Sequence, residues 1–305
     1  MDKYLLETKN LTKEFGKFKA VNDVNLHIKR GAIYGFIGRN GAGKTTFLKM
    51  ISSLSAPSSG EIIMFGKKGK ELIQIRDRIG CLIEAPGLYP NMSAYNNLKI
   101  KCIALGYNKK SYIDELLCIV GLESVKNKKV KKFSLGMKQR LGIAMALVGE
   151  PDLLVLDEPI NGLDPQGIAE VRDTILKLKD ERNMTVIISS HILEELSKIA
   201  TDYGIIHNGV LLQELSREEL LKKCGERIEI VTDNTQAAVP VLDKLNITNY
   251  QVVDSEKVLI FERLDDSAAI GRELIMNNIN IKELSVTKEE LESYFLNMTG
   301  GAQHA

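Results

Sequence analysis

The chain has 305 residues, of which 44% are hydrophobic and 27% are charged, and its formal net charge is +1. This length suffices for one large domain plus a small one. The near-neutral charge argues against a strongly basic nucleic-acid-binding domain and leaves a local basic patch open. The sequence has no apolar run near the roughly 18 residues that span a membrane, no signal-peptide pattern, and four scattered cysteines without zinc or disulfide spacing. We therefore expect a protein of the reducing cytoplasm.

Three strongly apolar segments predict the strands of a parallel sheet. They are 33–38 (IYGFIG), 153–157 (LLVLD) and 185–189 (TVIIS). Near-continuous apolar runs of this length are typical of strands that are buried on both faces. A shorter apolar run, 79–83, ends at Glu84, just before Ala-Pro-Gly ends any regular structure. Because helix-forming segments alternate with the strands through most of the chain, the fold class is α/β.

Helical segments dominate the middle of the chain, between about residues 90 and 150. They are 93–105, 110–120 and 134–147. Since they lie between strands of the predicted sheet, we expect a helical subdomain inserted into one α/β domain.

A different pattern begins after Ile206. Strands are predicted at 227–232, 249–254, 256–262 and 279–286, and helices at 234–245, 266–277 and 287–298. The order βαββαβ is typical of a ferredoxin-like unit. We therefore expect a main domain of residues 1–224 and a small α+β accessory domain of residues 225–305.

The stretch after the first apolar strand matches the phosphate-loop pattern G-x-x-x-x-G-K-[ST]. Its residues are Gly38, Arg39, Asn40, Gly41, Ala42, Gly43, Lys44, Thr45 and Thr46. The glycines let backbone N–H groups turn toward phosphate oxygens, and the helix that follows adds partial positive charge. We expect Lys44 to reach the β- and γ-phosphates of a nucleotide and Thr45 to hold Mg²⁺.

Two adjacent acidic residues at the end of the apolar strand 153–157 complete a second nucleotide motif. Asp157 ends the strand and Glu158 comes next. Because neighbouring strand residues point to opposite sides, Asp157 can bind Mg²⁺ while Glu158 reaches an attacking water. His191 follows the strand 185–189, at the edge where open α/β sheets bind ligands, and is a further candidate.

The segment FSLGMKQR, Phe133 to Arg140, resembles the signature motif of ATP-binding cassette (ABC) ATPases, whose usual form is LSGGQ. The resemblance covers roughly residues 4–225 and includes the phosphate loop, the strand ending in Asp157, the turn 161–164 and His191. It implies a P-loop nucleotide triphosphatase (NTPase) of ABC type, with an antiparallel β part and an inserted helical subdomain.

The resemblance also implies roles for individual residues. The nucleotide contacts would come from Phe15, which would lie against adenine, and from Gly38, Asn40, Gly41, Gly43, Lys44, Thr45, Thr46, Ser134, Gly136 and Asp164. The catalytic residues would be Glu158, His191 and Glu84. The metal ligands would be Thr45, Asp157 and Glu84. ATP and Mg²⁺ are the implied cofactors.

The resemblance further implies partners. Two ABC subunits, as a homodimer or as paired cassettes, would close on ATP, each nucleotide lying between the phosphate loop of one copy and Ser134 and Gly136 of the other. The helical subdomain would bind a separate transmembrane permease subunit. The chain would then be a peripheral protein at the cytoplasmic face of the membrane, with no nucleic-acid partner.

Two departures from the usual family pattern are present. Leu135 and Met137 replace the usual Gly and Gln of the signature, while Ser134 and Gly136 are kept. Glu84 stands where the family has glutamine, in the loop that joins the core to the helical subdomain. A carboxylate at this place binds a hard cation more strongly than an amide does, and it repels phosphate unless a cation screens it.

A glutamate in this loop resembles the ATPase subunits of bacterial self-protection exporters of the bacitracin-resistance and lantibiotic-immunity type. The function that this implies is ATP hydrolysis coupled to the export of membrane-active peptide antibiotics. Three alternatives are an exporter for another cargo, a cassette ATPase acting on ribosomes or DNA, and a regulatory module that holds ATP with little turnover. Because the sequence has one phosphate loop and no long heptad run, the hypothesis of an ATPase acting on ribosomes or DNA is disfavoured.

Overall fold

The computed structural model describes residues 3–107, 109–224, 226–288 and 291–299. The chain divides after Arg217 into two compact units. The boundary predicted from the sequence, between 224 and 225, lies one short helix further along the chain. Within the described ranges, no helix combines the length and the apolar character that crossing a membrane requires.

The first unit contains ten strands and six α-helices among its described residues. The strands are β1 (Tyr4–Phe15), β2 (Phe18–Lys29), β3 (Ile33–Ile37), β4 (Ser59–Met64), β5 (Lys67–Lys68), β6 (Ile79–Leu82), β7 (Leu153–Asp157), β8 (Thr185–Ser190), β9 (Asp202–His207) and β10 (Val210–Ser216). The helices are α1 (Lys44–Ile51), α2 (Ala94–Ala104), α3 (Lys110–Ile119), α4 (Leu135–Ala146), α5 (Pro165–Arg182) and α6 (Leu193–Ser197). Short 3₁₀ helices span Gly69–Arg78, Glu123–Val125 and Val130–Lys132.

Two sheets make up this unit. The first is antiparallel, with strand order β2-β1-β4-β5. The second has the order β10-β9-β3-β8-β7-β6, and all neighbours in it are parallel except β9 and β10. The three apolar segments of the sequence are β3, β8 and β7 at its centre, and every residue of these strands is buried. The predicted parallel sheet is thereby confirmed.

Apolar side chains of the two sheets form one core with α1. Phe36 on β3 and Phe47 on α1 are fully buried, and their ring centroids lie 4.8 Å apart. Leu26 on β2 and Val155 on β7 join the same cluster. Burial of large apolar side chains stabilises by about 1.5–3 kcal/mol each, so this core fixes α1, and with it the loop preceding α1, against the sheet.

A charged residue ties the two sheets together at one side. Glu214 on β10 accepts hydrogen bonds from the backbone N–H of His27 (2.9 Å) and from the hydroxyl of Tyr34 on β3 (2.8 Å). Burial, and then the negative charge of Glu214, holds the pKa of Tyr34 well above its usual value. The Tyr34 hydroxyl therefore stays neutral and remains a donor.

The helices α2, α3 and α4 lie between β6 and β7 in the chain, as the sequence predicts for the inserted part. The turn that leads into α2 is held by the buried amide of Asn97. Its Oδ1 accepts from the backbone N–H of Tyr89 (2.7 Å), and its Nδ2 donates to the carbonyls of Tyr89 (3.2 Å) and Ser93 (2.9 Å).

The second unit contains α7 (Arg217–Cys224), β11 (Glu226–Thr232), α8 (Thr235–Lys244), β12 (Tyr250–Val252), β13 (Lys257–Ile260), α9 (Ser267–Met276), β14 (Ile281–Lys288) and α10 (Leu291–Met298), with a 3₁₀ turn at Leu264–Asp266. Its sheet is antiparallel, with order β12-β13-β11-β14. This is the predicted ferredoxin-like arrangement, in which Leu242 of α8 and Leu274 of α9 share one buried cluster with Ile228 and Ile230 of β11.

One boundary in this unit was predicted wrongly. The sequence indicates a last helix from residue 287, whereas Thr287 pairs with Arg227 inside β14 and α10 begins at Leu291. Cross-strand pairing with β11 therefore outweighs the helix-start pattern at Thr287, which local sequence cannot reveal.

The buried amide of Asn97 yields a stability prediction. Asn97→Ala leaves the backbone N–H of Tyr89 without its partner and removes one of the two hydrogen bonds to each of the Tyr89 and Ser93 carbonyls, so we expect a loss of about 2 kcal/mol in the free energy of unfolding. Urea unfolding measures it. The matched control is Asn96→Ala, because the Asn96 side chain is exposed and its bond to Ser93 comes from the backbone N–H. Equal losses in the two variants would contradict the role assigned to the Asn97 amide.

Candidate active site

The phosphate loop links β3 directly to α1, at the carboxyl edge of the parallel sheet. Gly43 has φ +103°, and a Cβ on it would lie 2.3 Å from the carbonyl oxygen of Ala20. Gly41 also has positive φ (+81°). Both positions therefore need glycine, and the chain reaches the first turn of α1 with its N–H groups free to face an anion.

Lys44 is the buried cation of the site, with a relative exposure of 5%. Its Nζ donates to the carbonyl oxygens of Gly38 (2.6 Å) and Arg39 (3.3 Å) and lies 3.0 Å from Glu158 Oε1. A buried ammonium needs such partners, because its charge is costly to remove from water. The Lys44 head group is thus held inside the curve of the loop.

Asp157 is buried, and hydroxyl groups engage both of its carboxylate oxygens. Thr45 Oγ1, on the first turn of α1, donates to Asp157 Oδ2 at 2.7 Å. Ser189 Oγ, near the end of β8, donates to Asp157 Oδ1 at 2.5 Å. The carboxylate is therefore fixed beside the phosphate loop, as the spacing of the two motifs predicts.

Glu158 has a left-handed backbone, with φ +49°. Its N–H donates to Ser189 Oγ (2.9 Å), its Oε1 faces Lys44, and its Oε2 lies 2.8 Å from His191 Nδ1. The structure thus brings together four predicted residues at one edge of the sheet: Lys44 at the start of α1, Asp157 at the end of β7 with Glu158 next to it, and His191 just after β8. The Glu158 carboxylate thus contacts both the Lys44 ammonium and the His191 imidazole.

An open pocket of about 420 Å³ lies beside the loop. Its lining includes the residues 40–46, Glu158 and two aromatic rings, Phe15 and Phe18. Phe15 ends β1 and Phe18 begins β2, opposite each other across a tight turn. The rings are 57% and 64% exposed, which is unusual for phenylalanine and offers an apolar platform to a flat ligand.

Ser134, Gly136 and Asp164 form a second group outside this pocket. Ser134 caps α4, accepting from the N–H of Met137 (3.2 Å), and Asp164 caps α5, accepting from the N–H of Gly167 (3.1 Å). The two helix starts are neighbours, since a Cβ on Gly136 would lie 3.4 Å from Gly167 Cα. Within one copy these residues therefore present a separate surface of helix N-termini.

Glu84 follows β6 at the same sheet edge, with a left-handed φ of +64°. Its Oε1 lies 2.5 Å from Nζ of Lys49 on α1, and its side chain is 65% exposed. It does not belong to the pocket lining that surrounds Phe15 and the phosphate loop. The charge of Glu84 is thus neutralised by the helix that begins at the phosphate loop.

Three residues of this site were missed at the level of sequence: Phe18, Ser189 and Lys49. Phe18 had a signal, since a second aromatic residue three positions after Phe15 can meet it across a turn. Ser189 also had one, because it lies in the strand that ends beside His191. Lys49 had none, because its partner Glu84 is distant in the chain and the two meet through tertiary packing.

A phosphate loop between a buried strand and a helix, with an acidic pair on a neighbouring parallel strand, defines a P-loop NTPase. Comparison with known sequences specifies the family. The sequence profile described as ABC transporter matches residues 21–161. The chain is 44% identical to the ABC transporter ATP-binding protein YcbN of Bacillus subtilis (strain 168), over 98% of each chain.

Two further relatives have names that state a transport role. The bacitracin transport ATP-binding protein BcrA of Bacillus licheniformis is 43% identical, over 97% of this chain and 98% of that protein. The lantibiotic transport ATP-binding protein SrtF of Streptococcus pyogenes is 46% identical, over 69% of this chain and 90% of that protein. The chain therefore belongs to the ABC transporter ATP-binding proteins.

Solved structures agree with this assignment. A dimeric ATP-binding cassette in a post-hydrolysis state, bound to ADP and Pi, matches with a TM-score of 0.61 and 27% identity, over 70% of this chain and 98% of that one. The cbiO1 protein from Clostridium perfringens, part of an ABC transporter complex, matches with a TM-score of 0.67 and 25% identity, over 80% of this chain and 97% of that one. The predicted ABC-type fold is confirmed.

The two exposed rings generate a binding prediction. Phe15→Ala and Phe18→Ala should each weaken ATP affinity, Phe15→Ala by roughly tenfold, because stacking of a base on an aromatic ring contributes about 1–3 kcal/mol. Isothermal titration calorimetry with ATP measures the change. Tyr89→Ala removes another exposed ring, outside the pocket, and should leave affinity unchanged. Lys44→Ala is the opposite control and should abolish ATP binding. Full ATP affinity in the Phe15→Ala and Phe18→Ala variants would contradict the role of the two rings as a platform for the base.

Proposed function

We propose that this chain is the ATP-hydrolysing subunit of a bacterial ABC exporter that removes membrane-active peptide antibiotics of the bacitracin or lantibiotic type. The main structural support for ATP hydrolysis is the contact of Glu158 with both Lys44 and His191, beside the phosphate loop. The cargo is supported by two relatives whose names state bacitracin and lantibiotic transport.

The donor set beside the phosphate loop fits a magnesium ion. Thr45 Oγ1 and Asp157 Oδ2 are hard oxygen donors 2.7 Å apart, at the first turn of α1. In nucleotide sites Mg²⁺ takes one or two protein oxygens and completes its shell with phosphate oxygens and water. Thr45 and Asp157 would hold the ion, which when bound neutralises phosphate charge.

Glu158 would act as the general base in ATP hydrolysis. In this structure its carboxylate lies between the Lys44 ammonium and the His191 ring. When phosphate oxygens bind Lys44, the carboxylate is free to accept a proton from a water that attacks the γ-phosphate. His191 fixes the far side of the carboxylate, at Oε2, and so sets the direction in which Glu158 points.

The nucleotide site becomes complete in a dimer. Ser134 and Gly136 lie at a helix start outside the pocket of their own copy, where a phosphate is favoured by the free N–H groups of α4. The dimeric cassette bound to ADP and Pi supports a dimer. As the family resemblance implies, the pair would be head to tail, with Ser134, Gly136 and Asp164 of one copy facing the nucleotide of the other. ATP would hold the two copies together and hydrolysis would release them.

Glu84 would couple the nucleotide site to transport. It lies in the loop between β6 and the helical part, and it pairs with Lys49 on α1. Movement of α1 or of the loop on nucleotide binding would break or remake this pair. Glu84 could then turn toward the ion held by Thr45 and Asp157, as the family resemblance implies for this position.

The remaining partner is a separate transmembrane permease subunit. Relatives named as transport ATP-binding proteins support it, and the helical part, α2 to α4, would provide the contact. Docked in this way, the chain would lie at the cytoplasmic face of the membrane. An exporter with another cargo remains the second candidate, because two relatives of full-length similarity, from Bacillus subtilis, have names that state no cargo.

Replacing the proposed base separates binding from turnover. Glu158→Gln should still bind ATP and should dimerise in its presence, while ATP turnover falls by about a hundredfold or more, since general base catalysis contributes that much. Light scattering reports the dimer and phosphate release reports turnover. A variant that stays monomeric with ATP would count against the dimer, and undiminished turnover would count against Glu158 as the base.

Replacing Glu84 tests coupling. Glu84→Gln should keep ATP affinity and keep ATPase activity within about twofold, yet lower peptide resistance in cells. Lys49→Met is the matched variant, because it removes the same ion pair and keeps the carboxylate. An exposed pair contributes about 0–1 kcal/mol, so Lys49→Met should have the smaller effect on resistance. Equal resistance in wild type and Glu84→Gln would remove the special role of the carboxylate.

The cargo is tested in the source strain. The native allele is replaced by Glu158→Gln, and susceptibility to a panel of lantibiotics and bacitracin-like peptides is compared with wild type. Selective sensitisation to one class supports the exporter and identifies its substrate group. No change across the panel would leave the family assignment standing and would overturn the proposed cargo.

A further inference from the structure

One buried hydroxyl touches both acidic residues of the active site. Ser189 on β8 has no solvent exposure. Its Oγ–H donates to Asp157 Oδ1 at 2.5 Å, and the same oxygen accepts the backbone N–H of Glu158 at 2.9 Å. Ser189 therefore joins the proposed metal ligand and the proposed base through a single atom.

The bond to Asp157 sets the orientation of its carboxylate. Thr45 holds Oδ2 and Ser189 holds Oδ1, so the carboxylate is gripped on both sides. With the Ser189 bond removed, one buried oxygen would be unpaired and the group could rotate about its terminal torsion, which is broad and soft in aspartate.

The bond to Glu158 holds a strained backbone. A non-glycine residue in the left-handed region is uncommon and costs free energy unless the surroundings retain it. At Glu158, which has this conformation, the backbone N–H donates to Ser189 Oγ. The turn that follows is closed by a hydrogen bond from the Asn161 N–H to the Glu158 carbonyl oxygen, at 3.1 Å. This backbone conformation is the one that directs the side chain to Lys44 and His191.

We propose that Ser189 is a positioning residue for ATP hydrolysis, aligning Asp157 and Glu158 without touching the nucleotide. The proposal rests on the ATPase function proposed above. Ser189 is absent from the described pocket lining, so its effect must pass through the two acidic residues. Its neighbour Ser190 points to the opposite face of β8, and its hydroxyl is bonded to Ile192, accepting from the N–H (2.9 Å) and donating to the carbonyl (3.4 Å).

The test compares Ser189→Ala, Ser189→Thr and Thr185→Ala in the full chain. Thr185 lies at the other end of β8, is equally buried, and accepts one hydrogen bond from the N–H of Gly31 (2.9 Å). Thr185→Ala therefore reproduces the loss of a buried hydroxyl away from the site. The measurements are kcat and KM for ATP, the Kd of a fluorescent ATP analogue with Mg²⁺, and the thermal midpoint.

We expect Ser189→Ala to lower kcat by about 10- to 100-fold, because it misaligns two groups that act together, while Kd changes by less than about threefold. Ser189→Thr, which keeps the hydroxyl, should retain kcat within about threefold of wild type. Thr185→Ala should lower the thermal midpoint as Ser189→Ala does and leave kcat unchanged.

Three results would overturn the inference: kcat of Ser189→Ala equal to that of Thr185→Ala, Kd weakened as much as kcat, or a folded Ser189→Thr as slow as Ser189→Ala. Failure of the proposed function looks different. Wild-type chain that binds the ATP analogue but hydrolyses no ATP, with or without the permease, would refute the ATPase itself.

Discussion

The active site depends on the in-register pairing of three parallel strands. Ile37 at the end of β3 pairs with Ser190 on β8, and Ser189 pairs with Asp157 at the end of β7. Parallel strands that end at the same level bring the segments that follow them to one edge of the sheet. A shift of one residue in any strand would turn its terminal side chain to the other face and remove it from the site.

Charge balance holds this edge together. Lys44 is buried and would be costly as an isolated ammonium, and Glu158 supplies a counter-charge 3.0 Å away. Asp157 is stabilised differently, by two neutral hydroxyl donors. The two carboxylates next to each other in the chain thus have distinct surroundings, as the roles proposed for them, metal ligand for Asp157 and general base for Glu158, would require.

Much of this could be predicted from the sequence because the motifs are local. The phosphate loop, Glu158 and His191 each follow an apolar strand, and Asp157 ends one. An apolar run that is followed by polar residues can be recognised from the sequence alone. Lys49 was missed because its contact with Glu84 arises from tertiary packing. Phe18 and Ser189 each had a local signal, but their exact contacts depend on the register of β1 with β2 and of β8 with β7. The start of α10 was missed because pairing of β14 with β11 outweighs the helix-start pattern at Thr287. The roles of Ser134, Gly136 and Asp164 toward a nucleotide stay predictions, since they require a second copy.

The glutamate at position 84 raises a physical problem that Lys49 solves. A carboxylate near a phosphate-binding edge repels phosphate unless a cation screens it, and glutamine would carry no such cost. Lys49 stands one turn beyond Lys44 and Thr45 on α1 and contacts Glu84 directly. Because an exposed ion pair is weak, about 0–1 kcal/mol, it can neutralise Glu84 without locking it. A charged loop residue is therefore compatible with an anion-binding helix, and it stays free to exchange Lys49 for another cation.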